Sequence, residues 1–291
     1  MTPTPKGRAL FNPAEPLPVK RDGQSAGIGT LSVEVVWRAQ RRLLEMHFHA
    51  GVGHIGGNLS ALDALLVLHH QVMGPDDVFV LAKGHAAGAL YITLWSLGRL
   101  SDEDLNTFHR DGTFLAAHPV AGWSNDIPFA TGSLGHGLPD AAGMALGYKL
   151  QSKSNQVFCL TSDAEWQEGS NWEALIFAVH QKLTNLTIMI DENRLQGFGT
   201  TDAVASMDPL DIKFKGFAIE VVSVNGHDHT AIRDALHVRG QGPRIVVLKT
   251  VKGHGVSFME NAMEWHYLPL SAEQYRIALR EIDGRYEKTL R

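Results

Sequence analysis

The stretch Val157–Asn193, VFCLTSDAEWQEGSNWEALIFAVHQKLTNLTIMIDEN, holds two short apolar runs separated by a segment of helical pattern. VFCL and LTIMI are too short for helices, are bounded by polar residues, and are continuous rather than alternating. That pattern belongs to strands buried on both faces, as in a parallel sheet. The first run stops abruptly at Asp163 and the second at Asp191-Glu192-Asn193. A carboxylate at the mouth of a buried strand is costly to desolvate unless something offsets the cost. A plain chain reversal is the simple reading of Asp163; a ligand role is the alternative.

Working outward, the same alternation covers most of the chain. DDVFVLAKGH, AIEVVSVNG and RIVVLKTV read as further strands. TLSVEVVWRAQRRLLEMHFHA has apolar residues at helical spacing. GVGHIGG breaks that helix, and NLSALDALLVLHHQV starts another with Asn58 in the N-cap position. SDEDLNTFHR opens with the Ser-x-x-acid pattern of a capping box, from Ser101 to Asp104. TGSLGHG is a glycine-rich lead into the helix of GLPDAAGMALGYKL. The predicted fold is α/β: one doubly wound, mostly parallel sheet with helices on both faces, spanning residues 26–291. Residues 1–25, rich in Pro and Gly without a period, read as a flexible N-terminal arm.

The 291 residues can bury a sizeable core, and 44% hydrophobic with 20% charged residues is ordinary for a soluble enzyme. A formal charge of -5 argues against a broad nucleic-acid surface. No apolar run approaches the roughly 18 residues of a membrane span, and the N-terminus has no signal-peptide core. The one cysteine, Cys159, lies inside a predicted strand, where it reads as core, and a reducing, cytoplasmic setting is the expectation.

In open parallel sheets, ligands bind beyond the carboxyl ends of the strands. Those ends offer KGH (Lys83–His85), Asp163, the DEN of Asp191–Asn193, NGHD (Asn225–Asp228) and KGHG (Lys252–Gly255). Asp163 and Asn193 are 30 residues apart, one strand–helix–strand unit. On neighbouring strands a carboxylate and an amide oxygen would emerge side by side, a pair suited to a hard cation such as Mg2+ that keeps phosphate oxygens in its shell. The glycine-rich loop can bring N–H groups to the same phosphates.

SDAEWQEGSNWEA followed by DENRLQGFG resembles the thiamine diphosphate fingerprint, usually Gly-Asp-Gly, about 30 residues, then Asn-Asn. The similarity is greatest to transketolases, above all the split kind in which two chains share the work. GHIGGNLSALDAL, LAKGHAAGALY, AHP, TGSLGHGLPDAAGMALG and MEWH agree in order, over about residues 30 to 270. The resemblance implies a thiamine diphosphate-binding fold and assigns Asp163, Asn193 and the Leu195 carbonyl to Mg2+, or to another divalent cation such as Ca2+ or Mn2+. It places Gly132, Ser133, Leu134, Ala164 and His85 against the cofactor, and His54, His118 and His266 at the substrate's oxygens, with His266 also near the cofactor. Imidazoles suit that task because they hydrogen-bond and move protons near neutral pH. HFH (His47, His49) and HH (His69, His70) lack acid or Cys partners at ligand spacing and read as ordinary residues. Glu168 falls where the family has an acid at the subunit junction.

Several positions depart from the family pattern. Ser162-Asp163-Ala164 replaces Gly-Asp-Gly, Glu192 the first Asn, Ile55 a common Pro, Tyr267 a Gly and His136 a common Gln. Ala164 would be strained if its position required a positive φ. These changes keep the metal ligands and crowd the mouth, so they bear on the substrate more than on the cofactor. The resemblance further implies a C-terminal partner chain carrying the pyrimidine-binding domain, a heterotetramer of two copies of each chain, and transfer of a two-carbon ketol unit from a sugar or related keto donor to an aldehyde. The α-subunit of a 2-oxoacid-decarboxylating enzyme, or a non-catalytic regulatory subunit of the same fold, are the alternatives.

Overall fold

The structure, a computed structural model, describes residues 31–290, with side chains through residue 287. The proposed arm, residues 1–25, lies outside the described residues. Five strands form the central sheet: β1 (Val78–Leu81), β2 (Val157–Ser162), β3 (Leu186–Glu192), β6 (Glu220–Asn225) and β7 (Arg244–Lys249), in spatial order β1-β2-β3-β7-β6. Every neighbouring pair is parallel. Between β3 and β6 a two-residue hairpin, β4 (Leu195–Gln196) and β5 (Gly199–Thr200), follows the DEN segment. The apolar pattern gives no sign of it.

Because side chains alternate across a strand, the sheet feeds two cores. Phe158, Leu160, Met189, Val246 and Leu248 pack on one face, against helices Val33–Ala50, Ile55–Val67 and Ala87–Ser96. Val157, Cys159, Ile188, Ile190 and Val247 pack on the other, against helices Gly137–Leu150 and Gly169–His180. Cys159 is buried there, as expected of a core residue. Covering on both faces explains why these strands read as unbroken apolar runs.

The second helix differs from its expected start. It begins at Ile55, with His54 at the cap in the left-handed conformation (φ 65°), so Asn58 lies inside the helix. Gly56 and Gly57 read as a break, yet both are helical, and Gly56 stands where neighbouring groups leave little space for a side chain. A Cβ on Gly56 would lie 3.1 Å from Lys252 Cγ. The capping box at Ser101 is present, although its helix is a single turn, Asp102–Leu105.

Candidate active site

Parallel pairing brings all five strand ends to one edge. Ser162 is in register with Asp191, so the segments after β2 and β3 leave the sheet together. Asp163 is 5% exposed, and both carboxylate oxygens face backbone donors: Arg194 N–H at 2.6 Å and Ala164 N–H at 2.8 Å. Burial, reinforced by the nearby Asp191 charge, pushes its carboxyl up to about 7. Asn193, 4% exposed, accepts from Leu195 N–H through Oδ1 at 3.1 Å. The Leu195 carbonyl accepts from Lys252 Nζ at 3.2 Å.

Asp191, one strand over, is the opposite case. Burial pushes its carboxyl up, but Lys83 in direct ion pair, together with Ser60 (2.6 Å) and Thr250, outweighs it and holds the group below the usual range. Lys83 is itself fully buried and also donates to the Gly57 carbonyl at 2.8 Å. Four buried acids stand at this edge. Asp191 pairs with Lys83 and Glu192 with Lys249, while Glu165 is taken up by backbone N–H groups of the neighbouring loop and strand. Asp163, beside Asn193, has no cation in contact among the described residues. A buried carboxylate so placed, beside an amide oxygen and a peptide carbonyl, fits a hard cation.

The glycine-rich loop lies beside this edge. Gly132 has φ 141°, and a Cβ there would lie 2.8 Å from the His118 ring. A Cβ on Gly84 would lie 2.7 Å from Gly132 N, so Gly84 lets the KGH turn and the loop meet. Buried Glu165 fastens the loop to β2 by accepting from Gly135 N–H (3.0 Å) and Ser162 N–H (3.1 Å). Ser133 is exposed and Leu134 half-buried before helix Gly137–Leu150. Ala164 does not have a positive φ, so its Cβ causes no backbone strain. Its N–H donates to Asp163 rather than standing free.

The four singled-out histidines line one cavity of about 400 Å³. Ring centroids separate His54 from His85 by 5.7 Å, from His118 by 5.8 Å and from His266 by 5.1 Å. Burial, with His118 and Lys252 as lesser causes, brings His54 down to about 4; burial and Lys252 bring His266 to about 3. Burial lowers His118, and burial with Lys83 lowers His85 well below the usual value. At neutral pH these rings are uncharged and can each offer one donor and one acceptor. His54 Nδ1 is buried with no partner among the described residues.

Asn58 holds two of these rings in place. Its amide donates to the carbonyls of His54 (2.8 Å) and His85 (3.1 Å) and accepts from Ala89 N–H (2.7 Å). Lys252 joins the cavity to the Asp163–Leu195 edge, since the amine that meets the Leu195 carbonyl also lies 2.8 Å from His266 Nδ1. An ammonium only donates, so Nδ1 accepts and the His266 proton resides on Nε2. Sequence reasoning misses the roles of Asn58, Lys83 and Lys252; the two lysines stand in the strand-end motifs KGH and KGHG, but Asn58 has the residue type of a cap. His47, an ordinary residue by its spacing, is buried in the cavity wall. Tyr267 also lines the cavity, its hydroxyl donating to the Gly197 carbonyl of the β4–β5 hairpin at 2.9 Å.

Comparison with known proteins decides the family. The family model described as "Transketolase, thiamine diphosphate binding domain" matches residues 42–287. The chain belongs to this transketolase family. It is 38% identical over 261 residues to an apulose-4-phosphate transketolase subunit of Phocaeicola vulgatus, covering 86% of this chain and 92% of that one. It is 36% identical over 245 residues to a 6-deoxy-6-sulfo-D-fructose transketolase subunit of a Clostridium species, covering 80% and 89%. Among solved structures, transketolase of Campylobacter jejuni superposes with a TM-score of 0.73 at 25% identity, over 87% of this chain and 43% of that one. This member of the family therefore spans less than half the length of the solved transketolases it matches.

Proposed function

We propose that this chain is the N-terminal subunit of a two-chain transketolase, binding thiamine diphosphate with Mg2+ and transferring a two-carbon ketol unit from a ketose to an aldehyde. The observation that carries the reading is the pairing of a buried acid with no cation in contact, Asp163, beside Asn193 and the Leu195 carbonyl, with a cavity lined by imidazoles on the same sheet edge. Asp163, Asn193 Oδ1 and the Leu195 carbonyl hold the cation. Gly132, Ser133, Leu134, Ala164 and His85 lie against the diphosphate. Bound thiamine diphosphate supplies the nucleophilic carbon that the donor's carbonyl requires. His54, His118 and His266 hydrogen-bond the donor and acceptor oxygens and take or return their protons, and Tyr267 limits the mouth.

Relatives of similar length are named as subunits, which supports a C-terminal partner chain completing the site. The assembly is a heterotetramer of two copies of each chain, with Glu168 at the junction, in the cytoplasm. Among the described residues no helix is long and apolar enough to cross a membrane. The named donors of the relatives carry a phosphate and a sulfonate.

The test mixes this chain with the C-terminal chain, thiamine diphosphate and Mg2+, and follows ketol transfer from phosphorylated and sulfonated ketoses. Transfer is expected only with both chains present, and Asp163→Ala abolishes it. Release of CO2 from a 2-oxoacid without ketol transfer would overturn the reading.

A further inference from the structure

Behind the cation edge, three segments meet in a polar network that the proposed chemistry does not use. Asp63, 4% exposed, projects from helix Ile55–Val67. Its Oδ2 lies 2.8 Å from His227 Nδ1 and its Oδ1 lies 2.7 Å from His229 Nε2, both histidines being in the segment after β6. The other nitrogen of His227, Nε2, lies 2.9 Å from the backbone N–H of Val251, in the segment after β7. His254 stacks on His227 at 3.6 Å between centroids and 17° between planes, and Arg285 lies 3.3 Å from His254 Nε2.

The chemistry of these contacts fixes the proton. A backbone N–H can only donate, so His227 Nε2 must be an acceptor and the ring hydrogen must sit on Nδ1. From there it donates to Asp63. An ionised aspartate stabilises that tautomer, and Asp63 is kept ionised despite its burial because the His227 and His229 hydrogen bonds outweigh the desolvation, holding it at about 2. The imidazole thus becomes a rigid acceptor aimed at one backbone N–H, stacked from the side by His254 so that it cannot swing. The residue after Val251 is Lys252, whose amine meets the Leu195 carbonyl and His266 Nδ1.

We infer that Asp63 and His227 are positioning residues that hold the Val251–Lys252 strap in place and thereby set Lys252 against His266. The chain of contacts runs from Asp63 through the His227 ring and the Val251 N–H to Lys252, then to His266. Its far end fixes His266 with the proton on Nε2. Reversing the His227 tautomer turns the Val251 contact into two donors facing each other, which releases the strap. The wiring is a property of the chain itself; only its consequence for cofactor binding rests on the function proposed above.

The first measurement uses the unmodified chain without cofactor. Long-range 1H–15N spectra of its histidine rings are expected to show His227 protonated on Nδ1 and His266 on Nε2. Finding His227 protonated on Nε2 overturns the inference, because the Val251 bond is then impossible. The second compares His227→Phe, which removes the acceptor, with His227→Gln, whose side-chain oxygen can replace Nε2. His227→Phe is expected to shift the His266 ring signals and to weaken thiamine diphosphate–Mg2+ binding about tenfold, the scale for groups that orient a ligand. His227→Gln is expected to restore most of both. Equal losses of melting temperature in the two variants, with His266 signals unmoved in each, would reduce the network to ordinary packing. If His227→Phe does not fold, the unmodified chain and His227→Gln still decide. If the unmodified chain binds no cofactor, the proposed function fails, while the His266 signals judge the wiring independently.

Discussion

Asp163→Asn in the cofactor-free chain is expected to change the sign of its effect on stability with pH. In the folded chain the Asp163 carboxyl is raised from an ordinary 3.8 to about 7, by burial first and by Asp191 second. Between those values the folded state holds a proton that the unfolded state has lost, so stability is full below about pH 4 and falls as pH rises through 7. At about 1.4 kcal/mol per tenfold change in proton affinity, the ceiling on that loss is about 4 kcal/mol. Asn cannot ionise and escapes it. Asn also has one acceptor oxygen where the carboxylate has two, both now engaged by Arg194 and Ala164 N–H groups. Leaving one of those donors unmatched costs about 1–3 kcal/mol at every pH. The variant is therefore expected to be less stable than the parent by that amount near pH 4, and equal or more stable near pH 8. Urea unfolding of both proteins in EDTA, every half pH unit, reads the difference directly. A stability difference that stays constant from pH 4 to pH 8 refutes the reasoning, since it means the Asp163 carboxyl is not raised. Saturating thiamine diphosphate and Mg2+ should then stabilise the parent at pH 8 and leave the variant unchanged.

Other perturbations probe the surroundings. Lys83→Met strands Asp191 as an unpaired buried charge and is expected to cost about 3–5 kcal/mol in chemical denaturation; a smaller loss than 1 kcal/mol contradicts the pairing described. Asn58→Ala removes the bonds to His54, His85 and Ala89, and should lower stability by about 2–4 kcal/mol given the buried groups left unpaired. In the assembled enzyme its loss should fall more on kcat than on KM, and a pure KM effect would show that the clamp does not position the rings. Tyr267→Phe deletes only the hydroxyl on Gly197, and is expected to cost less than about 1.5 kcal/mol of stability while Tyr267→Gly widens the range of donors accepted. Unchanged donor preference in Tyr267→Gly would remove Tyr267 from the mouth.

The parallel sheet is legible because strands covered on both faces leave unbroken apolar runs, and the VFCL and LTIMI runs begin with β2 and β3 and stop two residues before each strand ends. Neighbouring placement of Asp163 and Asn193 follows from the spacing and from the rule about strand ends, and the pairing of β2 with β3 agrees. The start of the second helix is not legible, because Gly-Gly ordinarily interrupts a helix and here Gly56 makes room for Lys252 and Trp265, which come from distant segments. The same reason hides the Lys83–Asp191 pair and the Lys252–His266 contact: each joins side chains more than ten residues apart through the sheet edge, and no local period encodes it. Asn58 looks like a cap by its residue type, and only the packed structure shows its amide spanning two turns of chain. The β4–β5 hairpin, with two residues in each strand, is too short for any pattern to register.

The most direct test of the central claim is calorimetric titration of thiamine diphosphate into this chain, with Mg2+ and with EDTA, alongside Asp163→Ala. One molecule bound per chain, only with Mg2+ and lost in the variant, is the expected result. Binding that persists in EDTA or survives Asp163→Ala would contradict the assignment of the buried acid to the cation that holds the diphosphate.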